Sequence, residues 1–217
     1  MILAQEREAV VRFCREMLAE NLTTGTGGNI SVFSPEEKYF AISPSGKDYR
    51  TMVPEDVIVL DLNLNTIDGS LKPSSEFAMH GIFYQNRSDV NAVVHTHSLY
   101  ATAMACLGWT LPPFYYLNMI AGTDVICCPY ARYGTKELAQ FALKGMENRN
   151  AVLLSNHGLL TGSKTIEKAF NIAQIIEKAC QIYLTCKSTG VEPNRLNNIQ
   201  VDEMLEVFRN RGYSNGH

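Results

Sequence analysis

Two short apolar runs, each ending in histidine, constrain this chain more than any other feature. Val90-Asn-Ala-Val-Val94 leads into His95-Thr-His97, and Ala151-Val-Leu-Leu154 leads through Ser155 and Asn156 to His157 and Gly158. Apolar runs of this length, bounded by polar and turn residues, read as buried strands. Side chains two apart on a strand project to the same face, so His95 and His97 can converge on one point from a rigid edge. Any fold for this chain must therefore bury a sheet while leaving one of its edges open to chemistry.

Helical and strand patterns alternate around those runs. Val10, Val11, Cys14, Met17 and Leu18 recur at helical spacing and predict an amphipathic helix over 7–18. Strands are expected over 30–33, 39–43 and 57–62, then a helix from 73 to about 85 with a serine as N-cap and Glu76 in its first turn. A strand over 90–94, a helix over 99–107, a strand over 124–128 and a helix from Thr135 to about 146 follow. The strand 151–154, a long helix over 165–187 and a short one over 202–209 complete the pattern. Early hairpins with helices around them predict an α/β fold, a sheet layered between helices rather than a doubly wound parallel sheet. The chain has 217 residues, 46% of them apolar, and no repeat or linker, which suits a single domain over 1–217.

Charge and cysteine usage remove several classes of function. A formal charge of -3 with scattered Lys and Arg offers no basic stripe, so no nucleic-acid partner is expected. The first residues turn charged at once, without the apolar core of a signal peptide, and no stretch is long enough to span a bilayer. A cytoplasmic protein with no membrane partner is expected. The six cysteines lack CxxC spacing and the density of a secreted scaffold, which predicts reduced thiols. Cys14 falls on the apolar face of the first helix and is expected to be buried. Cys127 and Cys128 are neighbours in a strand, so only one of them can face a given side.

There are five histidines. His217 is terminal and is expected to be disordered. An isolated His-x-His is weak evidence for a metal, but His157 at the end of a second strand makes three imidazoles available. Three imidazoles with one open or carboxylate position form the ligand set of a catalytic zinc. Glu76 is the best candidate for the carboxylate, although a glutamate at a helix start is often only a capping device. His80, one turn on, could reach the same ion, but a packed, hydrogen-bonded histidine is the simpler reading there. Thr23-Thr-Gly-Thr-Gly-Gly-Asn29 can line a concavity with backbone N–H groups, with Thr26 and Asn29 adding donors, which suits a phosphate. It matches neither a Rossmann nor a Walker loop, and alone such a segment is more often a turn. Ser43-Pro-Ser-Gly46 and Ser74-Ser75 supply further small donors.

Taken together, Gly25-Thr-Gly-Gly-Asn29, Ser43-Pro-Ser-Gly46, Lys72-Pro-Ser-Ser-Glu76, Val94-His-Thr-His97 and Asn156-His-Gly158 resemble the class II aldolase family of L-fuculose-1-phosphate aldolase and L-ribulose-5-phosphate 4-epimerase. The resemblance runs over essentially the whole chain. It implies a three-layer α/β/α fold with a largely antiparallel sheet, and a homotetramer with active sites at subunit interfaces. It also implies Zn2+ held by His95, His97, His157 and Glu76. The family's phosphate site falls on Thr26, Asn29, Ser45, Gly46, Ser74 and Ser75, with Ser45 standing where the aldolases have threonine. A catalytic tyrosine reaching in from the neighbouring subunit falls on Tyr116, with Tyr115 beside it.

The implied function is reversible cleavage of a small ketose 1-phosphate, such as L-fuculose 1-phosphate, to dihydroxyacetone phosphate and an aldehyde. Zinc would act as a Lewis acid toward the carbanion that cleavage leaves, so no Schiff-base lysine is needed. Glu76 would exchange a proton with the substrate carbon, and Tyr116 with the hydroxyl that becomes the aldehyde oxygen. Epimerisation is disfavoured because that branch needs an aspartate near Ile120, and its further tyrosine has no clear counterpart here. Methylthioribulose-phosphate dehydration is disfavoured because its glutamate base falls on Asn118, and an amide is a poor base. A non-catalytic scaffold resembling the adducin head is the rival outside enzymology, and retention of all four ligand positions argues against it.

Overall fold

The computed structural model describes residues 1–213, so the expectation for His217 lies outside the described residues. Helix α1 (Ala4–Ala19) buries Val10, Val11, Cys14 and Met17, four of the five positions whose spacing predicts it, with Leu18 partly buried. Strands β1 (Asn29–Ser34), β2 (Tyr39–Ile42) and β3 (Ile58–Asp61) follow as a meander, extended by a short β4 (Thr66–Asp68) that the sequence pattern does not announce. Helix α2 (Phe77–Asn86), strand β5 (Ala92–Thr96), helix α3 (Leu99–Cys106) and strand β6 (Cys127–Cys128) form the middle of the chain. Helix α4 (Lys136–Gly145), strands β7 (Ala151–Leu154) and β8 (Gly158–Ser163), and helices α5 (Ile166–Lys187) and α6 (Asn198–Asn210) complete it.

The eight strands form one sheet in the order β4-β3-β2-β1-β5-β8-β7-β6. Every pairing is antiparallel except β6 with β7. Side chains alternate across it between two apolar layers. Ala92, Val94, Ala151, Leu153 and Leu159 face a core shared with α1, α3, α5 and α6. Val93, Val152, Leu154 and Leu160 face a second core under α2 and α4. The result is the expected α/β/α layering. Cys127 and Cys128 turn to opposite layers, as neighbours on a strand must, and Cys14 is fully buried.

Four departures from the sequence reading have local causes. No serine caps α2: Glu76 itself occupies the N-cap position, and its N–H donates to the Ser74 hydroxyl at 3.3 Å. The strand expected over 124–128 shrinks because Val125 exchanges both backbone hydrogen bonds with Leu111 instead of joining the sheet. Strand β8 lies in the stretch between the expected strand 151–154 and the expected helix 165–187, where glycines at 158 and 162 weaken a strand pattern. It is buried throughout and pairs with β5 and β7. The last helix starts earlier than expected, at a capping box in which Asn197 and Gln200 satisfy each other's backbone N–H groups.

Arg7 is the largest fully buried side chain, and it ties α1 to the sheet edge. Its guanidinium donates to the carbonyls of Ile2, Pro54 and Val57 and pairs with Asp68 in β4 at 2.5 Å. Replacing Arg7 by Leu takes its donor from the buried Val57 carbonyl, whereas the Asp68 carboxylate, 41% exposed, keeps water. The expected cost is about 1–3 kcal/mol in chemical denaturation; a loss within about 0.5 kcal/mol would show that water replaces the clamp.

Candidate metal centre

The centre lies at the edge where β5 ends and its two neighbours begin. Register sets Asn29, the first residue of β1, opposite His95, and Leu160 of β8 opposite His95 on the other side. His157 occupies the tight turn between β7 and β8, where Leu154 pairs with Gly158 and Asn156 takes a left-handed conformation at φ 56°. Asparagine tolerates that region better than most residues. Two glycines let the backbone close around the histidines. Gly28 has φ +66°, and a Cβ there would meet the His95 carbonyl oxygen at 2.5 Å. At Gly158 a Cβ would meet the Thr96 carbonyl oxygen at 2.3 Å.

Three imidazoles and a carboxylate converge as a result. His95 Nε2 lies 3.0 Å from His97 Nε2 and 3.2 Å from His157 Nε2. Glu76 Oε2 is 3.3 Å from His95 Nε2, and Oε1 is 3.6 Å from His157 Nε2. One donor atom from each residue falls within 4.8 Å of all the others. The His95 Nδ1–H donates to the Leu159 carbonyl at 2.9 Å, which leaves Nε2 as a bare lone pair facing the cluster. Glu76 is buried, and its Oε1 has no hydrogen-bond partner. Tetrahedral ligands about 2.1 Å from a zinc ion stand about 3.4 Å from one another, close to the separations found here. The bare His95 Nε2 with two further imidazole nitrogens close to it, and an unsatisfied buried carboxylate oxygen, both fit a divalent cation.

Electrostatics agree. Burial, then the neighbouring His97 and His157, hold the His95 ring well below the ordinary histidine value, so it stays neutral and able to ligate. Burial and the nearby His157 lower His97 as well. His80 is fully buried and hydrogen-bonded to Ser31 and Asn29, with its titration pushed down to about 3 by burial and then by His95. It takes the packed role and not that of a ligand.

The donors expected to hold phosphate share one cavity with this cluster. A space of about 360 Å³ is lined by Thr26, Asn29, Ser45, Gly46, Ser74 and Ser75 together with Glu76, His97 and His157. Backbone pairing brings the two serine segments together: Ser74 N–H donates to the Ser43 carbonyl, and Ser45 N–H to that of Lys72. The Tyr49 hydroxyl donates to the Gly28 carbonyl at 2.7 Å and anchors the glycine loop. Tyr133, which the sequence reading missed, also lines the cavity; nothing in its local pattern marks it, because it arrives from the loop before α4.

Residues 8–184 match the family described as Class II Aldolase and Adducin N-terminal domain. The chain belongs to this family. It is 48% identical over 212 residues to 5-deoxy-D-ribulose 1-phosphate aldolase of Bacillus thuringiensis serovar kurstaki, covering 98% of this chain and 99% of that protein. It is 35% identical over 204 residues to L-fuculose phosphate aldolase of Escherichia coli strain K12, covering 94% of each. A solved L-fuculose 1-phosphate aldolase superposes with a TM-score of 0.94 at 42% identity, over 96% of this chain and 98% of that one.

The two positions at which the resemblance disfavours epimerisation and dehydration, Ile120 and Asn118, have structural assignments here. Asn118 is buried with its amide fully engaged: Oδ1 accepts from Tyr115 N–H, and Nδ2 donates to the Pro112 carbonyl. Ile120 is buried in the core shared with α5 and α6. Neither can move a proton. Tyr116 is exposed at the start of a 3-10 turn, Tyr116–Ala121, and is absent from the cavity lining. A single chain does not bring it to the cluster.

Two outcomes test this centre. The purified protein should carry about one equivalent of a divalent metal per chain, removable by chelation, with His97→Ala and His157→Ala each falling below stoichiometric loading by elemental analysis. A metal-free wild type that takes up no added zinc would rule the centre out. Separately, His80 and His95 titrate near 6.5 in the unfolded chain and lower in the fold, so the unfolded chain binds more protons in between. Thermal midpoints of metal-free protein should therefore fall as pH drops below about 6.5, and a flat profile from pH 7 to 5 would contradict the burial of neutral rings.

Proposed function

We propose that this chain is a zinc-dependent aldolase that reversibly cleaves a small ketose 1-phosphate to dihydroxyacetone phosphate and an aldehyde. The observation that carries this reading is one cavity lined by phosphate donors on one side and by a displaceable carboxylate and imidazoles on the other. When bound, zinc supplies Lewis-acid stabilisation of the charge that carbon–carbon cleavage leaves on the phosphate-bearing half. The chain's own residues do the rest. Backbone N–H groups of the glycine loop, with Thr26, Asn29, Ser45, Gly46, Ser74 and Ser75, fix the phosphate and hence the position of the scissile bond. Glu76 Oε1, buried without a partner, is the atom that exchanges a proton with the substrate carbon. Its burial excludes water from that proton.

Tyr116 is assigned to the second proton transfer, at the oxygen of the departing aldehyde. Its exposed position away from the cavity suits a group that acts on a neighbouring copy, in a homotetramer with active sites at subunit interfaces. The whole chain, 1–217, is taken as one domain, which the packing of Val201, Leu205 and Phe208 from α6 into the main core supports. A cytoplasmic setting is supported by six free cysteines, and among the described residues no helix is long and apolar enough to cross a membrane.

For the sugar, the 48% identity to an enzyme named for 5-deoxy-D-ribulose 1-phosphate favours that ketose over L-fuculose 1-phosphate. The test is dihydroxyacetone phosphate release from 5-deoxyribulose, fuculose, rhamnulose and methylthioribulose 1-phosphates, with zinc-loaded and chelated protein. Zinc-dependent release is expected, fastest with the 5-deoxypentulose. Glu76→Gln should lower kcat by at least about 100-fold while retaining most of the metal. Full activity in that variant, or no release by zinc-loaded wild type from any of the sugars, would overturn the assignment.

A further inference from the structure

A chain of buried polar side chains leads away from Glu76 into the apolar layer under α2, and the proposed reaction leaves most of it without a task. Asn29 Nδ2 donates to Glu76 Oε2 at 3.0 Å. The Asn29 Oδ1 contacts His80 Nε2 at 2.5 Å. His80 Nδ1 contacts Ser31 Oγ at 2.6 Å, and Ser31 Oγ contacts the Tyr84 hydroxyl at 2.5 Å. All five residues are buried. Their placement follows from the fold: Asn29 and Ser31 are two apart on β1 and share a face, while Glu76 and the pair His80 and Tyr84 recur at a spacing of four along α2 and its N-cap.

The donors and acceptors allow one direction only. An ionised Glu76 accepts, so the amide of Asn29 must turn its NH2 toward it and its carbonyl toward His80. His80 must then carry its proton on Nε2. A fully buried ring with no carboxylate in contact stays neutral, and its titration near 3 agrees, so Nδ1 is a bare acceptor for the Ser31 hydroxyl. Ser31 accepts in turn from Tyr84, whose phenol burial keeps protonated. Every link from Tyr84 to Glu76 points the same way, and links so aligned reinforce one another.

We propose that His80 is a positioning residue that, through Asn29, commits Glu76 Oε2 to a hydrogen bond and leaves Oε1 as the one oxygen free for the metal and for proton transfer. The relay conducts no proton, because an amide stands in its path. It also links two halves of the cavity, since the Asn29 amide that steadies Glu76 retains a second N–H for phosphate. This role in turnover rests on the aldolase reading; the tautomer does not.

The experiment has two arms. In metal-free wild type with 15N-labelled histidine, the resonance lost in His80→Gln identifies His80. It should show a proton on Nε2, none on Nδ1, and no titration between pH 5 and 8. A proton on Nδ1, or titration in that range, overturns the relay. In the second arm, His80→Leu should lower kcat about 10–100-fold with KM and metal content near wild type, and His80→Gln, which keeps a donor for Asn29, should recover most of the loss. Equal loss in both variants, or a loss that appears only in KM or follows thermal stability, would reduce His80 to packing and overturn the proposal. Wild type that cleaves none of the sugars would sink the aldolase reading, and the tautomer would then decide the relay alone.

Discussion

Everything at the active edge of this protein follows from holding three imidazole rings and a carboxylate face to face. That arrangement has a cost: His95 Nε2 has no proton to offer Glu76, and burial of these two groups removes the water that would screen them. The surrounding structure has to enforce it. Ladder hydrogen bonds on both sides of β5 fix His95, the turn between β7 and β8 fixes His157, and Glu76 is held where a helix begins. The cluster is thus a group that could hold a cation and is positioned by the sheet, and a bound ion would satisfy the partnerless Glu76 Oε1.

Much of this was legible because the residues that matter sit at pattern boundaries. The apolar runs before His95 and His157 announce strands, and period-2 projection makes His95 and His97 converge before any coordinates are known. The glycine loop and the two serine segments were legible as donors but not as neighbours. Their meeting depends on the pairing of Pro44 with Pro73, a contact across the chain that no local signal encodes.

Two of the misses share a physical cause: local propensity was overridden by tertiary contacts. Strand β8 carries glycines because β5 and the ring of His97 pass too close for a side chain at Gly158, so the composition that reads as a loop is a central strand. Glu76 sits in a cap position yet does not cap, because His95, His157 and Asn29 claim its carboxylate. His80 was read correctly as packed, but packing is the smaller part of its role. Its partners lie on β1, and only the fold brings them within reach.

The hydrogen bond from His95 Nδ1 to the Leu159 carbonyl differs in kind from the His80 relay. Its acceptor is main chain, so no substitution at position 159 can delete it; any residue that keeps the strand keeps the oxygen. The tautomer of the central ligand is therefore inherited from topology, and the sequence around it is free to drift as long as the hairpin register holds. A one-residue slip of β8 past β5 would do what point mutation cannot, replacing that carbonyl by an outward-facing group and turning the ring away. The ligand geometry is in this sense a property of strand pairing, robust to mutation and vulnerable to misfolding.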